Sequence, residues 1–80
     1  MKAEIYTWST CPFCRAAVQL LKERGVTYDE HVMDGLDEEL NEIKTRYSHS
    51  TVPIVLIDGE FIGGFDALQA ADQAGTLKVG

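Results

Sequence analysis

The chain predicts a small α/β domain in the order β-α-β-α-β-β-α, with a mixed four-stranded sheet flanked by three helices. Three observations carry this. Short apolar runs with strand-like alternation recur between segments of helical periodicity. The stretch Pro53 to Ile57 is apolar throughout, as a strand buried on both faces requires. Asp58-Gly59 follows it at once, and that dipeptide is the strongest short-range hairpin signal.

Ala3 to Thr7, carrying Ile5 and Tyr6, reads as the first strand. Pro12 to Arg24 reads as a helix. Phe13, Ala17, Leu20, Leu21 and the stem of Arg24 share one face, and Val18 adds to it. Pro12 at the first helical position and Gly25 beyond the last turn are the usual end signals. Tyr28 to Val32 is the second strand, with Tyr28, Glu30 and Val32 on one side. After the Asp34-Gly35 turn, Leu40, Ile43 and Tyr47 recur at helical spacing in a helix near Asp37 to Tyr47. Its acidic front (Asp37, Glu38, Glu39) and basic back (Lys44, Arg46) suit the helix dipole. The hairpin joins the Pro53 run to Glu60-Phe61-Ile62, Gly63-Gly64 breaks that strand, and a last helix runs from about Phe65 to Ala74. Two parallel strands joined by a helix, followed by a hairpin and with helices on both faces, make the thioredoxin-type arrangement; periodicity alone gives only a small α/β domain, and the further step rests on what sits at the first strand–helix junction.

Eighty residues allow one domain, 1–80, with a modest core and stability on the order of 5 kcal/mol. Hydrophobic residues at 45% and charged residues at 25% give an ordinary globular balance rather than a disordered one. No repeat, low-complexity tract or linker interrupts it. The sequence has no apolar run long enough for a bilayer and lacks a signal peptide's basic start and apolar middle. A soluble, monomeric, cytoplasmic protein with no membrane contact is expected. The formal net charge of −6 leaves no basic cluster to neutralise a nucleic-acid backbone, whereas it favours encounter with a basic protein.

Two cysteines are too few for a secreted disulfide scaffold, so their placement carries the information. Cys11 and Cys14 span the start of the first helix, three apart and on one face, where their sulfurs can close a disulfide with little movement. Cys11 occupies the N-cap position, facing backbone N–H groups that lack helical partners. Those donors and the helix dipole favour the thiolate, the species that attacks disulfides. Cys14, one turn inside, is expected to be more buried and less ionised. A zinc site would need two further ligands, and His31 and His49 lack the spacing for it.

The segment Tyr6-Thr7-Trp8-Ser9-Thr10-Cys11-Pro12-Phe13-Cys14 resembles the active-site segment of dithiol glutaredoxins, whose usual motif is Cys-Pro-Tyr-Cys. Thr51-Val52-Pro53 is similar to that family's Thr-Val-Pro segment, and Gly63-Gly64 with Asp66 to its Gly-Gly-X-(Ser/Asp) turn. The three blocks stand in the family's order and spacing, and the resemblance covers nearly the whole chain. It implies a glutathione-dependent thiol–disulfide oxidoreductase with no bound cofactor and glutathione as co-substrate. Its partners would be disulfide-containing or glutathionylated proteins.

By the same resemblance, Cys11 and Cys14 are the catalytic pair and form the redox-active disulfide. Glutathione would lie against Cys11, Phe13, Thr51, Val52, Pro53, Gly64, Phe65 and Asp66. Pro53 would be cis, with the Val52 backbone pairing with the tripeptide like an added strand. The amides of Phe65 and Asp66 would hold its γ-glutamyl carboxylate. Three positions depart from the family pattern. Trp8 stands where a lysine is common, Ala67 where an acid often meets the γ-glutamyl ammonium, and Leu40 or Asn41 where Gln or Arg reaches the glycyl end. Arg15 and His49 could compensate but read as exposed surface residues. Phe13 in place of the tyrosine keeps the aromatic edge without the hydroxyl.

Two rival readings share these residues. One is a redoxin reduced by thioredoxin reductase, for instance an electron donor to ribonucleotide reductase, which the missing lysine at position 8 favours. The other is a dimer bridged by an iron–sulfur cluster through Cys11 and glutathione. Pro12 argues against it, because cluster-binding relatives usually carry a smaller residue there.

Overall fold

The computed structural model describes residues 2–75 and 77. Its elements are β1 (Lys2–Thr7), α1 (Pro12–Glu23), β2 (Thr27–Val32), α2 (Asp37–Arg46), β3 (Ile54–Ile57), β4 (Glu60–Gly63) and α3 (Phe65–Gln73). The strand order is β2-β1-β3-β4. β1 and β2 run parallel, whereas β3 is antiparallel to both β1 and β4, which makes the sheet mixed. This is the thioredoxin-like fold, and the predicted order of elements holds throughout. Among the described residues no helix is long and apolar enough to cross a membrane.

The apolar run of β3 is explained by what lies on either side of the sheet. Val55 joins Ala3 and Ile5 of β1 in a cluster with Ala17, Val18 and Leu21 of α1 and Leu68 of α3. Ile54 and Leu56 point the other way and pack with Met33 and with Leu40 of α2. Successive strand residues face opposite sides, so a strand covered by helices on both must be apolar at every step. At the hairpin, Asp58 and Gly59 both take positive φ (51° and 83°), the geometry that two-residue loops use to match strand twist.

The buried face of α1 is Cys14, Ala17, Val18 and Leu21. Two expectations for this helix change. Phe13 is 62% exposed rather than part of the core face; its ring instead lies near that of Phe65 at the start of α3 (centroids 6.1 Å apart). Arg24 does not bury its stem: it is exposed and its Nη2 donates to Asp72 at 3.0 Å, tying α1 to α3. Val32, on the side of Tyr28 and Glu30, lies exposed at the end of the edge strand.

Leu21 has no solvent exposure. Truncation of such a leucine leaves a cavity that the surrounding structure fills only partly. Leu21→Ala is therefore expected to lower stability by about 2–5 kcal/mol, read as a reduced urea midpoint with an unchanged m value.

Candidate active site

β1 ends at Thr7, and a four-residue loop leads to α1, placing Cys11 at the helix N-cap with extended backbone (φ −86°, ψ 116°). Its Sγ accepts a hydrogen bond from the Cys14 N–H at 3.3 Å. A sulfur in this position takes the place of the side-chain oxygen in an ordinary cap. Both cysteines are free thiols here, Cys11 half-buried and Cys14 wholly buried.

Burial pushes the Cys14 thiol up to about 12, and its hydrogen bond with Cys11 adds to the rise. A hydrogen bond with the Trp8 backbone and the nearby Arg15 charge act in the opposite sense and are outweighed. At pH 7 the Cys14 sulfur is then held as the thiol. Brief exposure of the reduced protein to iodoacetamide at pH 7 should give one adduct, placed on Cys11 by fragmentation between Cys11 and Cys14, with Cys14 labelled only after unfolding. Equal labelling of both in the folded protein would contradict the assignment. Because the folded value is raised, thiol burial supports the fold fully below the ordinary thiol range. That support is lost as pH climbs towards about 12.

The loop is fastened from outside. The Ser9 N–H donates to Asp34 Oδ1 at 2.9 Å, and the Ser9 hydroxyl donates to the other carboxylate oxygen. These bonds hold the Asp34 carboxyl below the usual carboxylate range. Trp8 is 38% exposed, and Lys44 of α2 sits over its ring, 5.1 Å from the centroid. A cation over an indole face is a favourable contact. An ammonium from another element therefore lies beside position 8.

Next to the cysteine pair lies a cleft of about 530 Å³, lined by Phe13, His49, Thr51 to Pro53 and Gly63 to Ala67. Every residue expected to contact glutathione lines it except Cys11, which is two positions from Phe13. The Val52-Pro53 bond is cis. Sterics require glycine at position 63 and favour it at 64. Gly63 has φ +127°, and a Cβ there would fall 2.9 Å from the Ala67 Cβ. At Gly64 an added Cβ would press on His49 Nε2 (3.3 Å) and the Pro53 carbonyl (3.4 Å). Gly64 also caps α3 without a side-chain hydrogen bond, so the first amides of that helix have no partner from the cap.

Some site residues were not expected. His49 is half-buried rather than a free surface residue: its Nε2 lies 3.2 Å from Thr51 Oγ1, and its ring meets Phe61 edge-on. Arg15 is exposed, as expected, and pairs with Glu30 of β2. Leu40 is 1% exposed within the core, so of the Leu40/Asn41 pair only Asn41 reaches solvent. Burial pushes the Glu30 carboxyl up, yet the Thr7 hydroxyl and Arg15 together hold it below its ordinary range.

A thioredoxin-like sheet with two thiols at the first turn of α1, one accessible and one buried, defines the class of thiol–disulfide oxidoreductases. Comparison with known proteins narrows the class. The glutaredoxin family model matches residues 3–62. The probable glutaredoxin ssr2061 of Synechocystis sp. is 46% identical over 77 residues, which cover 95% of this chain and 88% of that protein. Glutaredoxin 3 of Escherichia coli (strain K12) is 43% identical over 74 residues, covering 92% and 89%. Among solved structures, the dithiolic glutaredoxin 2-C-Grx1 of Trypanosoma brucei brucei superposes with a TM-score of 0.83 at 40% identity, covering 94% and 80%. The chain belongs to the glutaredoxin family and, with Cys11 and Cys14, to its dithiol type.

Proposed function

We propose that this glutaredoxin reduces protein disulfides and glutathione–protein mixed disulfides with electrons from glutathione. The observation that carries the reading is an accessible N-cap sulfur and a buried partner thiol beside a cleft suited to an extended tripeptide. The cleft volume of about 530 Å³ falls within the roughly 300–1,000 Å³ common for small-ligand sites. The backbone at Thr51 to Pro53 offers strand-like hydrogen bonding to any extended peptide. The uncapped start of α3 offers an anion site for a free carboxylate.

Two reactions follow. With a glutathionylated protein, the Cys11 thiolate attacks the glutathione sulfur; that S–S bond breaks, and the protein thiolate leaves and takes a proton. A second glutathione, as thiolate, then attacks the glutathione sulfur on Cys11, giving oxidised glutathione and restoring Cys11. With an internal protein disulfide, the Cys11 thiolate attacks one substrate sulfur; the substrate S–S bond breaks, and the other substrate sulfur leaves as a thiolate and takes a proton. Cys14 then loses its proton and attacks Cys11 Sγ, which breaks the Cys11–substrate bond, releases the sulfur that Cys11 held as a thiolate that takes a proton, and leaves Cys11–Cys14 oxidised. Two glutathiones reduce that bond, so each substrate disulfide consumes two glutathiones and yields one oxidised glutathione.

The test compares turnover of a glutathionylated peptide with glutathione plus glutathione reductase against turnover with thioredoxin reductase. Glutathione is expected to support the faster reaction. Turnover with thioredoxin reductase alone, and none with glutathione, would overturn this reading in favour of its nearest rival.

A further inference from the structure

Among the described residues the large apolar side chains left exposed are Trp8, Phe13, Val32 and Leu36. All lie at the dithiol end of the sheet. Thr7 and Val32 are register partners at the ends of the parallel strands β1 and β2; Trp8 and Phe13 follow β1, and Leu36 follows β2. Exposed apolar residues scattered singly need no explanation, whereas a group gathered at one end marks a contact surface. Phe13 lines the cleft, but Trp8 and Leu36 do not.

Trp8 and Leu36 make a second shoulder beside the nucleophile. The Trp8 carbonyl accepts from the Cys11 N–H at 3.2 Å. The Ser9 N–H donates to Asp34 Oδ1 at 2.9 Å, which draws the loop after β1 against the loop after β2. Leu36, Leu40 and Lys44 recur every four residues and so share one stripe of α2. Lys44 rests over the Trp8 ring, so the indole and Leu36 border that same stripe. The rim is acidic. Asp34, Asp37, Glu38 and Glu39 are exposed, and none of them is in an ion pair among the described residues. Ser9 satisfies the Asp34 carboxylate without neutralising it. Lys44 sets one positive charge against these four. The helix dipole accounts for acids in the first turn of α2, but not for their adjoining an exposed tryptophan and leucine.

We propose that this shoulder docks the protein half of a glutathionylated substrate, selecting a basic segment with an apolar side chain next to the reacting cysteine. The inference rests on the reading that the chain turns over glutathione mixed disulfides, and it names the kind of protein accepted. When glutathione fills the cleft, the polypeptide joined to it lies outside, and the shoulder is apolar surface beside Cys11 that the cleft does not use. Leucine-sized side chains have Trp8 and Leu36 to cover, and lysine or arginine flanks have the carboxylates to meet.

The experiment uses two peptides that differ only beside one glutathionylated cysteine, Lys-Leu in the first and Glu-Leu in the second. Apparent kcat and KM are measured at pH 7 with glutathione and glutathione reductase. In wild type the Lys-Leu peptide is expected to have about tenfold the kcat/KM of the other at low salt, through KM. The preference should fall to about twofold in about 0.5 M sodium chloride. Neutralising the rim together (Asp37→Asn, Glu38→Gln, Glu39→Gln) should cut the low-salt preference to about threefold. Leu36→Ser should raise KM about threefold for both peptides, with kcat held. A control with Glu23→Gln and Glu60→Gln, at the far end of α1 and at the hairpin, should keep the preference. All variants should match wild type on the mixed disulfide of glutathione with β-mercaptoethanol, which has no polypeptide to dock. Equal KM values for the two peptides in wild type, or an equal loss in the control and the rim variant, would overturn the proposal. So would a dimer in sedimentation that Leu36→Ser dissolves, because the shoulder would then belong to a second copy of this chain. If wild type fails to turn over the small mixed disulfide with glutathione, the underlying reading fails instead.

Discussion

Cys11→Ser is expected to remove glutathione-linked reductase activity, with a loss on the order of a thousandfold or more. The argument starts from the cap. Cys11 Sγ accepts from the Cys14 N–H, and a serine oxygen can take that hydrogen bond and cap the helix at least as well. The substitution should leave the fold intact, as an unchanged urea midpoint would demonstrate. What it removes is chemistry, because an alkoxide is not available at neutral pH and does not exchange with disulfides as a thiolate does. The coupled assay with glutathione reductase measures the effect. Retention of wild-type turnover by the serine variant would remove the proposed mechanism altogether.

Cys14→Ser should split the two reactions. Release of glutathione from a glutathionylated protein needs only Cys11 and a second glutathione, so its rate should stay within about threefold of wild type. Reduction of an internal disulfide needs an intramolecular attack on the mixed disulfide, and there the loss should be about a hundredfold or more. An attack from the same helix turn has an effective concentration that glutathione in solution does not match. The serine hydroxyl enters a wholly buried site, so a stability cost of about 1–3 kcal/mol is expected as well. A melting curve separates that cost from the kinetic effect. Equal losses with both substrates would mean that Cys14 serves only the fold.

Much of this was legible in local sequence because local physics sets it. Strand alternation, the apolar run of β3, the Asp58-Gly59 turn and the proline and glycine bounding α1 each act within a few residues, and each element lies within about two residues of its expected limits. Phe13 was misassigned because helical periodicity reports a face but not how far that face remains over the sheet. At the first turn of α1, the ring turns towards Phe65 instead. The Ser9–Asp34 fastening, the Lys44–Trp8 contact and the contacts among Thr7, Glu30 and Arg15 join residues 8 to 36 positions apart. No spacing rule signals such pairs, since they exist only once the sheet and helices have brought them together. His49 gave the weakest signal of all: a lone histidine in a loop, with nothing in its neighbours to indicate that it lines a cleft.

Trp8 is the one tryptophan in the chain, three residues before the nucleophile, with the Lys44 ammonium resting on its face. All indole fluorescence from this protein therefore originates at the mouth of its reactive loop. Any event that disturbs the ammonium–ring contact, from arrival of an anionic peptide to closure of the adjacent sulfurs, is built to register as a change in emission colour or brightness. The protein carries its own optical probe, and stopped-flow recording can follow its turnover without an added dye.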